Sequence, residues 1–263
     1  MSPRPERLQI GHLAVDPLTF PEAVEEISRL VEAKAGGFVF TPNVDHFVLA
    51  EDDVAFREAY AKATFSLTDG MPVVWASRFL DVRVPERVSG SDLILPLMEK
   101  AAQRGWRVYL LGAAPGVADK AAEVIRQRFP VNIVGTDSPN LKAGQTAAES
   151  EPILRRVREA KPDLLLVAFG SPKQETWIAE VASHLTPTVA IGIGAGLDFI
   201  SGRVPRAPRW MAKAGLEWFY RLSREPRRLW RRYLVNDPRF FGIVVRTRRE
   251  RRRGGGSPGN NAS

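Results

Sequence analysis

Short, nearly uninterrupted apolar runs alternate along this chain with segments whose apolar residues recur at helical spacing. Phe38-Val39-Phe40 reads as a strand that ends at Thr41-Pro42-Asn43. A helical stripe follows at Val44, Phe47, Val48, Ala55 and Ala59. Glu51-Asp52-Asp53 interrupts that stripe and reads as a solvated stretch within the helix, and Tyr60 falls one step off it. Residues 64–68 are strand-like and stop at Asp69-Gly70, and Ser91 is placed to cap a helix starting near Asp92. Residues 107–111, 131–134, 163–169 and 188–193 are further strands. Helices are expected from about Val117, between about Ala147 and Ala160, and after Pro172.

Runs that are apolar at every position belong to strands buried on both faces, and strand–helix alternation belongs to parallel crossovers. The predicted fold is α/β, a Rossmann-like open, mostly parallel sheet with flanking helices. In such sheets ligands bind beyond the carboxyl ends of the strands. That rule directs attention to the strand exits Thr41-Pro42-Asn43, Thr68-Asp69-Gly70, Gly112 to Gly116, Gly135-Thr136-Asp137, Gly170 to Glu175 and Gly194 to Asp198.

Each exit has a chemical and a plainer reading. Gly112-Ala113-Ala114-Pro115-Gly116 joins a strand to a helix, where backbone N–H groups can approach a phosphate. A tight structural turn fits the same residues. The dinucleotide fingerprint is absent, since Ala114 and Val117 stand where its later glycines belong, although Asp137 lies downstream where a ribose-binding acid would sit. Asp69, at a strand exit, can serve as a general base, or simply form an Asp-Gly turn. Pro172 suits the first turn of a helix and would set Lys173, Gln174 and Glu175 toward the crevice. Gln174 can then bond sugar hydroxyls or phosphate oxygens, or close a capping box with Ser171.

The chain has 263 residues, 44% of them hydrophobic, which suffices for a large core and excludes a wholly disordered protein. With no cysteine there is no disulfide, thiolate metal site or cysteine nucleophile. His12, His46 and His184 show no ligand spacing and no Asp-x-Asp occurs, so no metal is implied. The first residues lack a signal-peptide core, and no apolar run approaches the ~18 residues of a membrane span. A cytoplasmic protein is expected, one that can still touch a membrane surface.

Charge changes the picture at the C-terminal end. Residues 201–253 hold 17 Lys/Arg against 4 Asp/Glu, a net of +13, while the rest holds 21 against 26, a net of −5. After Pro205-Arg206-Ala207-Pro208 a helix can begin, with Met211, Ala214, Trp218 and Leu222 at helical spacing until Pro226. In 227–234, Leu229, Trp230, Tyr233 and Leu234 share one helical face, with Arg228, Arg231 and Arg232 opposite or flanking. An apolar-aromatic face bordered by arginines suits an anionic membrane surface. A core-packed helix with solvated arginines is the plainer reading. The expected organisation is an α/β unit over 1–204, a basic, aromatic helical appendage over 205–247, and a disordered tail over 248–263 that ends in Gly254 to Ser263.

Together these segments resemble the WecG/TagA/CpsF family of glycosyltransferases. The resemblance rests on Thr41-Pro42-Asn43, Thr68-Asp69-Gly70-Met71-Pro72, Glu86-Arg87-Val88-Ser89-Gly90-Ser91-Asp92 and Gly170-Ser171-Pro172-Lys173-Gln174-Glu175. It continues through Gly194-Ala195-Gly196-Leu197-Asp198, Arg206-Ala207-Pro208 and Gly215-Leu216-Glu217-Trp218, then Arg221 to Tyr233, so that it spans about Leu8 to Leu234. It implies inverting, metal-independent transfer of a sugar from a UDP-sugar to a polyprenyl-diphosphate-linked acceptor sugar in surface-polymer synthesis. The sugar implied is N-acetylmannosamine-like or a uronic acid, and no cofactor is needed. Position by position, Asp69 matches the general base, Thr41 a residue positioning substrate, and Arg87 and Gln174 polar active-site residues. Asp198 matches a nucleotide-site acid, with Asn43, Gly112 and Gly116 as the other expected nucleotide contacts. Arg221, Arg228 and Arg231 match basic appendage residues that meet the acceptor diphosphate, on an appendage that reaches the inner face of the cell membrane and closes over the site.

One departure is Asp137-Ser138-Pro139-Asn140, where family members often carry an aromatic stretch. Two rivals from other classes are a nicotinamide-dependent oxidoreductase, which lacks its fingerprint, and a nucleic-acid-binding module using the basic end. Neither nucleic acid nor nicotinamide is the expected partner, and a homo-oligomer stays open.

Overall fold

A computed structural model describes residues 6–141, 150–208, 210–211 and 215–254. The chain opens with an antiparallel hairpin, β1 (Leu8–Ile10) and β2 (Leu13–Val15), followed by helix α1 (Phe20–Glu32). Thr19 and Glu22 form a reciprocal capping box at the start of α1. The body then alternates: β3 (Gly37–Phe40), α2 (Val44–Asp52), α3 (Val54–Ala61), β4 (Phe65–Ser66), α4 (Met71–Phe79) and α5 (Gly90–Arg104). It continues with β5 (Arg107–Gly112), α6 (Val117–Arg128), β6 (Asn132–Asp137), α7 (Glu151–Ala160), β7 (Leu164–Ala168), α8 (Lys173–Leu185), β8 (Val189–Gly192) and α9 (Gly196–Ile200).

Strands β3 to β8 form one parallel sheet in the order β4-β3-β8-β7-β5-β6. This is the expected α/β architecture. Alternate residues of each strand feed two cores: Phe38, Phe40, Leu165 and Val167 face one, and Val39, Leu164, Leu166 and Ile191 face the other. Because all six strands run the same way, their carboxyl ends share one rim.

The C-terminal segment forms α10 (Glu217–Arg224), α11 (Pro226–Arg231), a π-helical turn over Arg232–Asn236, and α12 (Arg239–Gly254). Phe240, Ile243, Val244 and Thr247 of α12 are buried. The Phe240 ring packs at a tilt against Phe47 of α2, with ring centroids 5.4 Å apart. The Gly11 N–H, in the first hairpin, donates to Thr247 Oγ1 at 2.9 Å.

Several local expectations need correction. The long helix after Asn43 is two helices, because Asp53 is extended and caps α3 by accepting from the Phe56 N–H at 2.9 Å. Tyr60, not Ala55, belongs to the buried face. Within the acidic run Asp52 is solvent-exposed as expected and pairs with Arg239 at 2.8 Å, whereas Glu51 is largely covered and pairs with Arg246 at 2.6 Å. Helix α5 starts at Gly90 with Ser89 as N-cap, so Ser91 lies inside it. Gly135, Thr136 and Asp137 pair with β5 rather than leaving the sheet. Residues 248–253, expected in the tail, continue α12, whereas 255–263 and Ala214 lie outside the described residues.

Candidate active site

Asp69 follows edge strand β4, and its backbone N–H donates to the Pro42 carbonyl at 3.0 Å, fastening it to the β3 exit. Its side chain accepts from Ser89 Oγ at 3.3 Å and lies 3.7 Å from Arg87 Nη1. Arg87 is divided among rivals: Nη2 donates to Asp92 at 2.6 Å and Nη1 to Glu217 of α10 at 3.0 Å. Burial pushes the Asp69 carboxyl up to about 7; Arg87 opposes this, the Glu217 and Asp92 charges reinforce it, and the Ser89 hydrogen bond opposes it weakly. A carboxyl titrating near neutrality can be ionised and still gain a proton during reaction.

A cavity of about 620 Å³ lies over Asp69. Its polar wall is Asn43, Asp69, Arg87, Glu217, Arg221 and Arg232. Asn43 Oδ1 caps α2 by accepting from the Asp45 N–H at 3.1 Å, and also accepts from Arg232 Nη2 at 3.0 Å. Arg232 Nε lies 3.3 Å from Asp45 Oδ2. Burial also pushes Asp237, at the end of the π turn, up to about 7 against the pull of Arg232. Arg221 Nε is buried with no hydrogen-bond partner among the described residues. Among the described residues no group of three or more His, Asp or Glu side chains is placed to hold a metal ion.

Of the residues singled out by sequence, Asp69, Arg87, Asn43 and Arg221 meet in this cavity. Thr41 is buried behind it, where a Cβ on Gly90 would come within 3.0 Å of its hydroxyl and 2.9 Å of the Gly192 carbonyl. Gln174 is also buried: its Nε2 donates to Glu175 at 2.6 Å and its Oε1 accepts from the Gly194 N–H at 3.1 Å. It thus ties the β7 exit to the β8 exit and forms no capping box, for α8 has Pro172 at its N-cap and no side-chain cap. Asp198, at the β8 exit, pairs with Arg203 at 3.2 Å. Gly112 has a packing reason to be glycine, because a Cβ there would stand 2.7 Å from the Ala168 backbone, whereas Gly116 is a left-handed N-cap on α6 with open space around it. Four inter-strand steps separate β4 from β5, about 19 Å, with β8 midway. Arg231 is exposed and does not reach the cavity. The Arg228 side chain lies outside the described residues.

Sequence reasoning missed Arg232, Glu217 and Ser89. Glu217 and Ser89 stood inside motifs already quoted, so their signal was present but unassigned. Glu175 is fully buried and pushed up to about 7 by that burial, against its hydrogen bond from Gln174. His46 Nδ1 and the Tyr60 hydroxyl are 2.6 Å apart behind Asn43, and burial, aided by Arg232, lowers His46 to about 3.

The sequence matches the Glycosyl transferase WecG/TagA/CpsF family over residues 8–254. It is 31% identical over 220 residues to the N-acetylglucosaminyldiphosphoundecaprenol N-acetyl-beta-D-mannosaminyltransferase of Bacillus spizizenii, covering 83% of this chain and 82% of that protein. It is 30% identical over 223 residues to the enzyme of the same name from Bacillus subtilis, covering 84% of each. A match that takes in the sheet, the rim around Asp69 and the segment that roofs it leaves one assignment: this chain is a glycosyltransferase and belongs to the WecG/TagA/CpsF family.

Proposed function

We propose that the protein transfers N-acetylmannosamine, or a closely related sugar or uronic acid, from a UDP-sugar to a polyprenyl-diphosphate-linked acceptor sugar, with inversion and without a metal. The observation that carries this reading is Asp69: a carboxyl raised to about 7, at a strand exit, inside a roofed cavity lined by Arg87, Arg221 and Arg232. The names of the two Bacillus relatives favour N-acetylmannosamine as the sugar and an N-acetylglucosaminyl diphosphate lipid as the acceptor.

Ionised Asp69 takes the proton of the acceptor hydroxyl as that oxygen attacks the donor's anomeric carbon, and the bond to UDP breaks on the opposite face. The UDP moiety lies along the rim toward the β8 exit with Asp198 and the helix N-terminus at Gly116. Thr41 and Gln174 hold the floor between these positions. Arg87 and Arg221 offset charge on the phosphates, and the partnerless Arg221 Nε supports an anionic ligand there. Arg232 holds Asn43 in place at the cavity wall.

The protein works at the inner surface of the cell membrane. No helix among the described residues is long and apolar enough to cross a membrane. Among the described residues, nine of the twelve exposed large apolar side chains lie beyond residue 205, including Trp210, Phe219, Trp230 and Leu234, beside the basic residues. Such surface suits an interfacial contact. The test is UDP release from a panel of UDP-sugars with a short-chain diphosphate-linked N-acetylglucosamine. Release dependent on both substrates, and surviving chelation of divalent ions, supports the reading; UDP release with no donor sugar joined to the acceptor overturns it.

A further inference from the structure

The cavity over Asp69 has two unlike parts. Beyond the polar end, its walls are α4 on one side, through Met71, Trp75 and Phe79, and α12 on the other, through Phe240, Phe241 and Val245. Phe240 is buried and anchors α12, yet Trp75, Phe79, Phe241 and Val245 remain 49%, 44%, 68% and 40% exposed. One turn beyond Val244 and Val245, the Arg248 guanidinium of α12 stacks 4.0 Å over the Phe79 ring of α4, so one cation closes the far end of both walls.

The geometry points to a groove between α4 and α12 that takes the first isoprenoid units of the lipid-linked acceptor, an inference that rests on the acceptor class proposed above. Three features select this occupant. The apolar walls are continuous with a polar end where Arg221 Nε has no hydrogen-bond partner among the described residues, which matches a diphosphate joined directly to a hydrocarbon chain. The volume of about 620 Å³ falls within the ~300–1,000 Å³ of small-ligand pockets, room for a headgroup and a few prenyl units rather than a whole polyprenyl tail. Arg248, Arg249 and Arg251 to Arg253 follow on the same helix, where anionic headgroups would meet them as the chain leaves for the bilayer.

Calorimetric titration of the full chain with inorganic, dimethylallyl, geranyl and farnesyl diphosphate tests this without membranes or sugar transfer. Affinity is expected to rise along the series, by about tenfold or more from inorganic to farnesyl diphosphate. Phe241→Asp and Val245→Asp should flatten the series toward the inorganic diphosphate value. Both sites are exposed, so folding is preserved, and the melting temperature checks this. Equal affinity across the series, or a series that neither variant changes, overturns the groove. Sugar transfer is scored separately: absent transfer with the chain-length series intact defeats the acceptor assignment and leaves the prenyl groove standing. Intact transfer with a flat series defeats the groove alone.

Discussion

Asp69 and Asp137 stand at the same rim of the same sheet, at opposite edges, and their surroundings make them different chemical groups. Asp137 closes β6 with an arginine largely to itself, Arg156 Nη2 lying 2.5 Å from its carboxylate. Asp69 follows β4, shares Arg87 with Asp92 and Glu217, and is covered by a segment that begins more than a hundred residues later. Burial with a divided counter-charge lifts Asp69 to about 7. A carboxylate at a strand exit becomes a base of useful strength where a covering segment limits its solvation and rivals dilute its partner.

The sharpest way to break this contrast is Asp69→Asn, expected to cut transfer by about 100-fold or more while UDP still raises the melting temperature. Activity near wild type would remove Asp69 from the chemistry. Phe240→Ala attacks the roof instead: loss of a buried ring costs ~3–5 kcal/mol in urea unfolding, and transfer should drop about tenfold or more as α12 loosens.

The pH profile probes the divided counter-charge. With ionised Asp69 as base, kcat/KM should climb as pH rises and level off above about 7. Glu217→Gln removes a charge that raises Asp69 and leaves Arg87 freer to lower it, so the inflection should move down. An upward move would contradict the arrangement. Stability runs the other way. A carboxyl raised from its ordinary 3.8 to about 7 in the folded state stabilises the fold below about pH 4, and that contribution is lost as pH rises to about 7. Asp69→Asn should therefore raise the melting temperature by about 2–4 °C at pH 8, and by less at pH 5. The smallest effect belongs to Asp137→Asn, which should leave transfer within about threefold of wild type. A large loss there would erase the distinction between the two edges.

Much of the fold was legible because it is written locally. Leu164 to Ala168 is apolar at every position since both faces of β7 are buried, and Asp69 announced itself as a polar residue after a strand. The roof was legible only in outline. Arg232 looked outward at a uniform 3.6-residue period, but the Asp237 N–H bonds back to the Arg232 carbonyl at 2.8 Å across a π turn. The wider turn follows Arg232, which faces Asn43, while Arg231, one helical step of about 100° away, stays in solvent. Glu51 looked solvated because its partner, Arg246, lies 195 residues away, beyond any local pattern.

The contact between Gly11 and Thr247 bears on the order of synthesis. A chain leaving the ribosome folds from its N-terminal end, so the sheet and Asp69 can form before the helix that roofs them has been made. Gly11 must then wait for Thr247, and a Cβ at Gly11 would stand 2.6 Å from Ile243, so no larger side chain fits that seam. A polypeptide cut short before α12 would carry every strand exit and the helix bearing Glu217, yet it would lack the wall that faces α4 and the hydroxyl that receives the Gly11 N–H.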